Sequence, residues 1–331
     1  MFFKTLRDLV DENYIEFIAR APPDELAPQL GSIIRDLLLK EKEALGKAIL
    51  FVRSTVLTET FKTLLKGVFE ALERRGIYTK FLNLDMGSGK THLLTLLIYL
   101  LYAHSVLGDE LDEYKELGFN ETLVRRTAIL AVDLRTPAKI LELFLPFLSK
   151  TLKRAGESEA AEYVDSCIRS GKMPDAQKLV SLLKKDTNII IVIDELHHAI
   201  LHYRDVSEEC KWIESLLNFT VHMINYMRLH KKGLIVLVAS ARRDFDRVFE
   251  LSATLRDYLF SIANGLLDQL GRLEEAVETR WLSTEEAKKI IIRKLNARED
   301  IFHPMFDSFI ERIARADSDI PQAHHLRSLI K

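Results

Sequence analysis

Two clusters of residues in this chain have the types and the spacing to do chemistry. Leu84-Asp85-Met86-Gly87-Ser88-Gly89-Lys90-Thr91 lies between the run Tyr78 to Asn83 and the apolar stretch Leu93 to Leu101, which gives strand, glycine loop and helix in that order. Gly87 and Gly89 let the backbone turn tightly enough for its N–H groups to face phosphate oxygens. The helix that follows adds its positive N-terminal end. Lys90 is placed for the β- and γ-phosphates and the Thr91 hydroxyl for Mg²⁺, while Asp85, Met86 and Ser88 supply the rest of the loop. The pattern is G-x-x-x-x-G-K-S/T with Leu84 at the first glycine. A Gly-Lys-Thr in an ordinary turn is the alternative, and the second cluster weighs against it.

That cluster is Asn188-Ile189-Ile190-Ile191-Val192-Ile193-Asp194-Glu195. The β-branched run is too continuous for a half-exposed strand and predicts a buried parallel one. In an open α/β sheet ligands bind at the carboxyl ends of the strands, so the acid pair falls where Mg²⁺ and a γ-phosphate would be. Asp194 is the candidate metal ligand together with Thr91, and Glu195 the base that orients and deprotonates water. The plainer alternative is a helix cap after a core strand.

Elements must hold these residues in place, and the sequence has room for them. The 331 residues, 47% apolar and 29% charged, suit a soluble chain of about two domains with a sizeable core. No apolar run approaches the roughly 20 residues that cross a bilayer, and the first twenty residues lack a leader pattern, so a cytoplasmic location is expected. Cys167 and Cys210 lack metal-ligand spacing and read as reduced thiols. A net charge of −2 argues against broad nonspecific nucleic-acid binding.

Phe2 to Ala19 and Leu30 to Ala44 read as amphipathic helices separated by Ala21-Pro22-Pro23-Asp24. Within Ala48 to Arg75 a further helix is expected, with Thr58 as N-cap and Phe61, Leu64, Leu65, Val68, Phe69 and Leu72 on one face. Thr127 to Leu134 and Gly233 to Ser240 are further core strands, Val277 to Leu282 an edge strand, and Ala138 to Lys185 and Asp244 to Leu270 mainly helical. Leu282-Ser283-Thr284-Glu285-Glu286 opens a helical C-terminal segment.

Ser240 ends its strand where a hydroxyl could sense a γ-phosphate, or where a polar residue simply closes a strand. Arg242, Arg243 and Arg272 compete for an arginine finger, and position favours Arg272. His198 and His202 share a helix face, but with His197 they read as solvated or core-edge residues, because the metal the glycine loop asks for takes oxygen ligands. His324 and His325 read the same way. Leu141, Phe144, Leu145 and Leu148 read as core.

These Walker A and Walker B motifs, Ser240, Arg272 and the helical C-terminus stand in the order seen in AAA+ ATPases of the additional-strand catalytic glutamate division, which the chain resembles from about Ala48 to Lys331. More narrowly, Thr55-Val56-Leu57-Thr58-Glu59-Thr60-Phe61-Lys62-Thr63-Leu64-Leu65 and Gly87-Ser88-Gly89-Lys90-Thr91-His92 resemble a prokaryotic AAA+ family with a T-x-x-T-x-x-L/F-K-x-L-L helix start and a G-x-G-K-T-H loop, in which the first P-loop glycine is commonly absent. Asp85 departs from the small residue expected there. The resemblance implies a three-layer α/β P-loop NTPase with strand order 5-1-4-3-2. Residues 1–47 would form a helical extension, 48–282 the core and 283–331 a helical lid. It also implies ATP and Mg²⁺ as ligands, His92 beside the nucleotide, Arg327 as the lid's sensor arginine and a homo-oligomer completed by Arg272. The activity implied is Mg²⁺-dependent ATP hydrolysis driving remodelling or assembly, with DNA or a nucleoprotein complex as candidate partner. A regulatory nucleotide switch and an ATP-binding scaffold with little turnover are the alternatives.

Overall fold

Ile189 to Ile193 are all β-branched, and a side chain branched at Cβ packs best on a pleated surface covered on both faces. In the computed structural model they form β3 (Asn188–Asp194), every residue of which is buried. The structure describes residues 29–84, 89–202, 208–241, 263, 265–272, 285, 289 and 293, and only the backbone of 83, 84, 201, 202, 208, 241, 271 and 272.

Four long strands, β1 (Ile77–Leu84), β2 (Thr127–Asp133), β3 and β4 (Leu234–Ala241), run parallel in the order β2-β3-β4-β1. A two-residue strand, β5 (Gly271–Arg272), pairs with β1 opposite Lys80 and Phe81, so from that edge the sheet reads 5-1-4-3-2. The edge strand was expected over Val277 to Leu282. Among the described residues Gly271–Arg272 takes that place, pinned by the Thr79 hydroxyl, which donates to the Gln269 carbonyl across 3.2 Å. The expected strand 277–282 lies outside the described residues, and the backbone of Arg272 lies in β5.

β4 sits between the strand that enters the glycine loop and the strand that ends in acids. Register aligns Asp133 with Asp194 across β2 and β3, and Asn83 with Ser240 across β1 and β4. The polar residues that end these strands therefore share the carboxyl edge of one sheet, where ligands of open α/β folds bind.

Helices cover the sheet. In α3 (Glu59–Arg74) the Thr58 side chain accepts from the Phe61 N–H, and the buried residues are Phe61, Leu64, Leu65, Val68, Phe69 and Leu72, the face read from spacing. Each contributes roughly 1.5–3 kcal/mol by leaving water. α4 (Lys90–Tyr102) is apolar all round and buried from Leu93 to Tyr102, so its N-terminus is fixed by the core. α5 (Leu145–Arg154), α6 (Ser158–Arg169) and α7 (Ala176–Leu182) follow β2. Phe144, Leu145 and Leu148 are buried as expected and Leu141 is half-buried. α8 (Leu196–His202) follows the acid pair, and α9 (Glu208–Leu229) leads to β4.

The helix expected over Leu30 to Ala44 is two helices, α1 (Leu30–Leu39) and α2 (Glu41–Ser54), broken at Lys40 (φ −130°). Tertiary contacts account for the break. Glu41 at the start of α2 accepts from the Tyr102 hydroxyl at 2.6 Å and the Lys150 ammonium at 2.9 Å, and Lys150 also donates to the Leu37 carbonyl near the end of α1. The division expected at 47/48 thus falls inside α2. Among the described residues no single helix is long and apolar enough to cross a membrane. The helix expected over Phe2 to Ala19 lies outside them.

Candidate functional site

The site is built where β1 and β3 end. Beyond β1, residues 85–88 lie outside the described residues, including Asp85, Met86, Gly87 and Ser88. The chain re-enters at Gly89, whose φ of 86° is a left-handed conformation that glycine adopts without a steric penalty, and α4 starts at Lys90. Gly89 provides no side-chain cap, and the first N–H groups of a helix have no partner within it, so this turn presents donors.

Thr91 lies one residue into α4, and its hydroxyl donates to Asp194 Oδ2 at 2.8 Å. Asp194 ends β3 and is 1% exposed. Its Oδ1 accepts from the Glu195 N–H at 3.0 Å, and its carbonyl accepts from the Leu134 N–H at 3.1 Å. Burial, reinforced by the charges of Glu195 and Asp133, pushes the Asp194 carboxyl up to about 7, against the opposing pull of the Thr91 hydrogen bond and Arg135.

Glu195 has φ 61°, the left-handed region that a residue with a Cβ rarely occupies. That turn lets β3 pass directly into α8. The Glu195 carbonyl accepts from the His198 N–H at 3.0 Å, and His197 Nε2 lies 3.2 Å from Glu195 Oε2. His197 is 7% exposed, so the core-edge reading describes its ring, but that reading missed its contact with Glu195. The side chain of His202 is outside the description, and no group of three or more His, Cys, Asp or Glu residues suited to a metal occurs among the described residues.

Two further residues join this edge without having been singled out from sequence. Asp133 ends β2 beside Asp194, with its side chain 4% exposed. Arg135 Nε donates to Asp133 Oδ1 at 2.9 Å and Nη2 to Oδ2 at 2.6 Å, while the Gly31 N–H in the first turn of α1 donates to Oδ2 at 3.2 Å. The fork to Asp133, with the nearby charges of Glu195 and Asp194, holds Arg135 protonated above the usual arginine range. A clue was present in the sequence: an acid closes the β2 run as Asp194 closes β3.

Ser240 lies at the carboxyl end of β4, 1% exposed, and its hydroxyl has no hydrogen-bond partner among the described residues. An orphaned buried hydroxyl at the same carboxyl edge as a buried carboxylate and a threonine hydroxyl adds a hard oxygen donor of the kind that suits Mg²⁺ and phosphate. Arg272 has its backbone in β5 opposite Phe81. Arg242, Arg243, Arg327, His324 and His325 lie outside the described residues.

His92 faces the helices. Its Nε2 lies 2.9 Å from the Thr55 hydroxyl, and its ring packs 4.3 Å from that of Phe51 and 6.0 Å from that of Phe61. The Thr55 hydroxyl donates its single proton to the Phe51 carbonyl at 2.7 Å, so it accepts from His92 and the imidazole proton sits on Nε2. The threonine-rich segment before α3 and the residue after Thr91 are therefore bonded to each other. Arg293, helical in the C-terminal segment, donates to the Thr55 carbonyl at 2.6 Å and pairs with Glu113 at 3.2 Å.

No protein-family model, curated protein or solved structure matches this chain.

Proposed function

We propose that the chain is an Mg²⁺-dependent ATPase of the additional-strand P-loop kind, related in architecture to AAA+ enzymes. The observation that carries this reading is the convergence of Thr91 and Asp194 at 2.8 Å, with Glu195 next in sequence, at the carboxyl edge of a parallel sheet. Thr91 and Asp194 would hold Mg²⁺, which supplies charge to polarise and orient phosphate oxygens. Lys90 would contact the β- and γ-phosphates, and residues 85–89 would wrap them. Ser240 would meet the γ-phosphate. Glu195 would take the proton of a water whose oxygen bonds to the γ-phosphorus as the bond to the bridging oxygen breaks, and ADP leaves with that oxygen. Intact Lys90, Thr91, Asp194 and Glu195 favour turnover over a scaffold role. The work driven would be remodelling or assembly, with nucleic acid or a nucleoprotein complex as candidate substrate and a homo-oligomer as the working form.

A regulatory switch is the second reading. The chain of contacts from Arg293 through Thr55 to His92 favours it, because this chain ties the C-terminal segment to the residue beside Thr91.

The deciding experiment is a multiple-turnover ATPase assay with and without DNA, RNA and unfolded protein, alongside ATP binding by calorimetry for wild type and Lys90→Ala. Turnover in wild type and no binding in Lys90→Ala support the ATPase. Binding with less than one turnover supports the switch. Equal ATP affinity in Lys90→Ala removes the nucleotide site altogether.

A further inference from the structure

Glu195 is held at three points: its N–H donates to Asp194 Oδ1, its carbonyl accepts from the His198 N–H, and its carboxylate meets His197. The first two fix the backbone at a φ of 61°, a conformation that is strained in a residue with a Cβ and persists only where its surroundings impose it. They leave the side chain's rotamers open. The third contact closes that freedom. A carboxylate oxygen only accepts, so a hydrogen bond across this 3.2 Å contact requires the proton on His197 Nε2. The imidazole is itself immobilised, with its side chain 9% exposed against 25% for that of Glu195. A buried imidazole nitrogen thus lies against one oxygen of a more accessible carboxylate.

We infer that His197 is a positioning residue for the hydrolytic base: its Nε2–H anchors Glu195 Oε2, so that Oε1 is the oxygen that receives the proton of the attacking water. The inference rests on the ATPase reading of Glu195. It also gives a reason for a polar ring in the first turn of α8, next to the strained residue, where an apolar side chain would fill the same volume. A carboxylate at the end of three rotatable bonds loses catalytic efficiency when it wanders, and a misplacement of about 1 Å costs up to roughly a hundredfold in rate. His197 removes that wandering without touching the nucleotide.

The test uses the full chain and four variants: His197→Ala, His197→Gln, Glu195→Gln and the double variant Glu195→Gln/His197→Ala. Steady-state ATPase kinetics are measured with saturating Mg²⁺, ATP binding by calorimetry and folding by thermal melts. His197→Ala should lower kcat by roughly ten- to a hundredfold with KM and ATP affinity unchanged within about twofold. His197→Gln, which keeps a donor, should recover most of the rate. The double variant should be no slower than Glu195→Gln, because a residue that acts through another adds nothing once that other is gone. Independently of turnover, selective ¹⁵N-histidine labelling of the nucleotide-free chain should find His197 protonated at Nε2, and the Glu195→Gln substitution should shift that resonance. Unchanged kcat in His197→Ala, equal losses in the Ala and Gln variants, or a further tenfold loss in the double variant would overturn the inference while wild-type turnover left the ATPase reading intact. If His197→Ala does not fold, the Gln variant and the labelling decide. Absence of wild-type hydrolysis would overturn both.

Discussion

The Thr91 hydroxyl and the Asp194 carboxylate, 103 residues apart in sequence, are hydrogen-bonded at 2.8 Å across the carboxyl edge of the sheet. The two proposed metal ligands thus lie together, and Asp194 lies among acids whose combined charge favours a cation. Thr91→Ser keeps the hydroxyl and should keep the Mg²⁺ requirement. Thr91→Val keeps the shape without it and should raise the Mg²⁺ concentration for half-maximal ATPase by about tenfold or more, as loss of a supporting ligand usually does. A Mg²⁺ titration of turnover compares them, and equal half-saturation would take Thr91 out of the metal shell.

Glu195 separates chemistry from stability. Glu195→Gln should bind ATP yet hydrolyse it at least ~10²-fold more slowly, since the base is lost while the cradle remains. Glu195→Gly should be as inactive but more stable by about 1 kcal/mol, because glycine occupies a φ of 61° without strain. Thermal melts and single-turnover rates measure the two effects separately. A Glu195→Gly chain that melts lower than wild type would mean that the side-chain contact to His197 outweighs the backbone strain.

Much of this architecture was legible in the sequence because burial dictates pattern. An α3 face of six apolar residues at helical spacing has one buried side, and a run such as Ile189 to Ile193 has room only inside a sheet. The break at Lys40 was not legible, because Leu-Leu-Leu-Lys-Glu-Lys-Glu contains no breaker, and the helix ends there under the pull of Tyr102 and Lys150 on Glu41. The contacts of His197 with Glu195, and of Arg135 with Asp133, depend on backbone turns that residue types do not specify. Gly271–Arg272 was not read as a strand because two residues carry too little pattern.

Thr55 and His92 give a prediction about coupling. Thr55 is 0% exposed, and Thr55→Val would remove the acceptor of the half-buried His92 Nε2–H. Loss of that hydrogen bond costs about 0.5–1.5 kcal/mol, whereas Thr55→Ser should lose clearly less because its hydroxyl remains. Urea unfolding of the two variants measures this. ATP affinity should fall in Thr55→Val as well, since α4 carries both His92 and Thr91. Equal stability of the Val variant and wild type would show that His92 finds another acceptor.

Arg272 decides between a chain that works alone and one that works in an assembly. Its backbone lies in β5 at the edge of the sheet beside β1, the strand that leads into the glycine loop. A guanidinium brought to the γ-phosphate by a neighbouring chain would stabilise charge that develops only in the transition state, so its loss should lower turnover and spare binding. If ATP drives head-to-tail association, then Arg272→Ala alone should bind ATP and lose most of its turnover, and so should Glu195→Gln alone. Mixing the two should restore part of the activity, because some interfaces then join an intact Glu195 to an intact Arg272 from different chains. Sedimentation with and without ATP reports the association, and the mixing ratio reports the hybrid sites. Full activity in a sample that stays monomeric at every protein concentration would instead place the stabilising cation in cis.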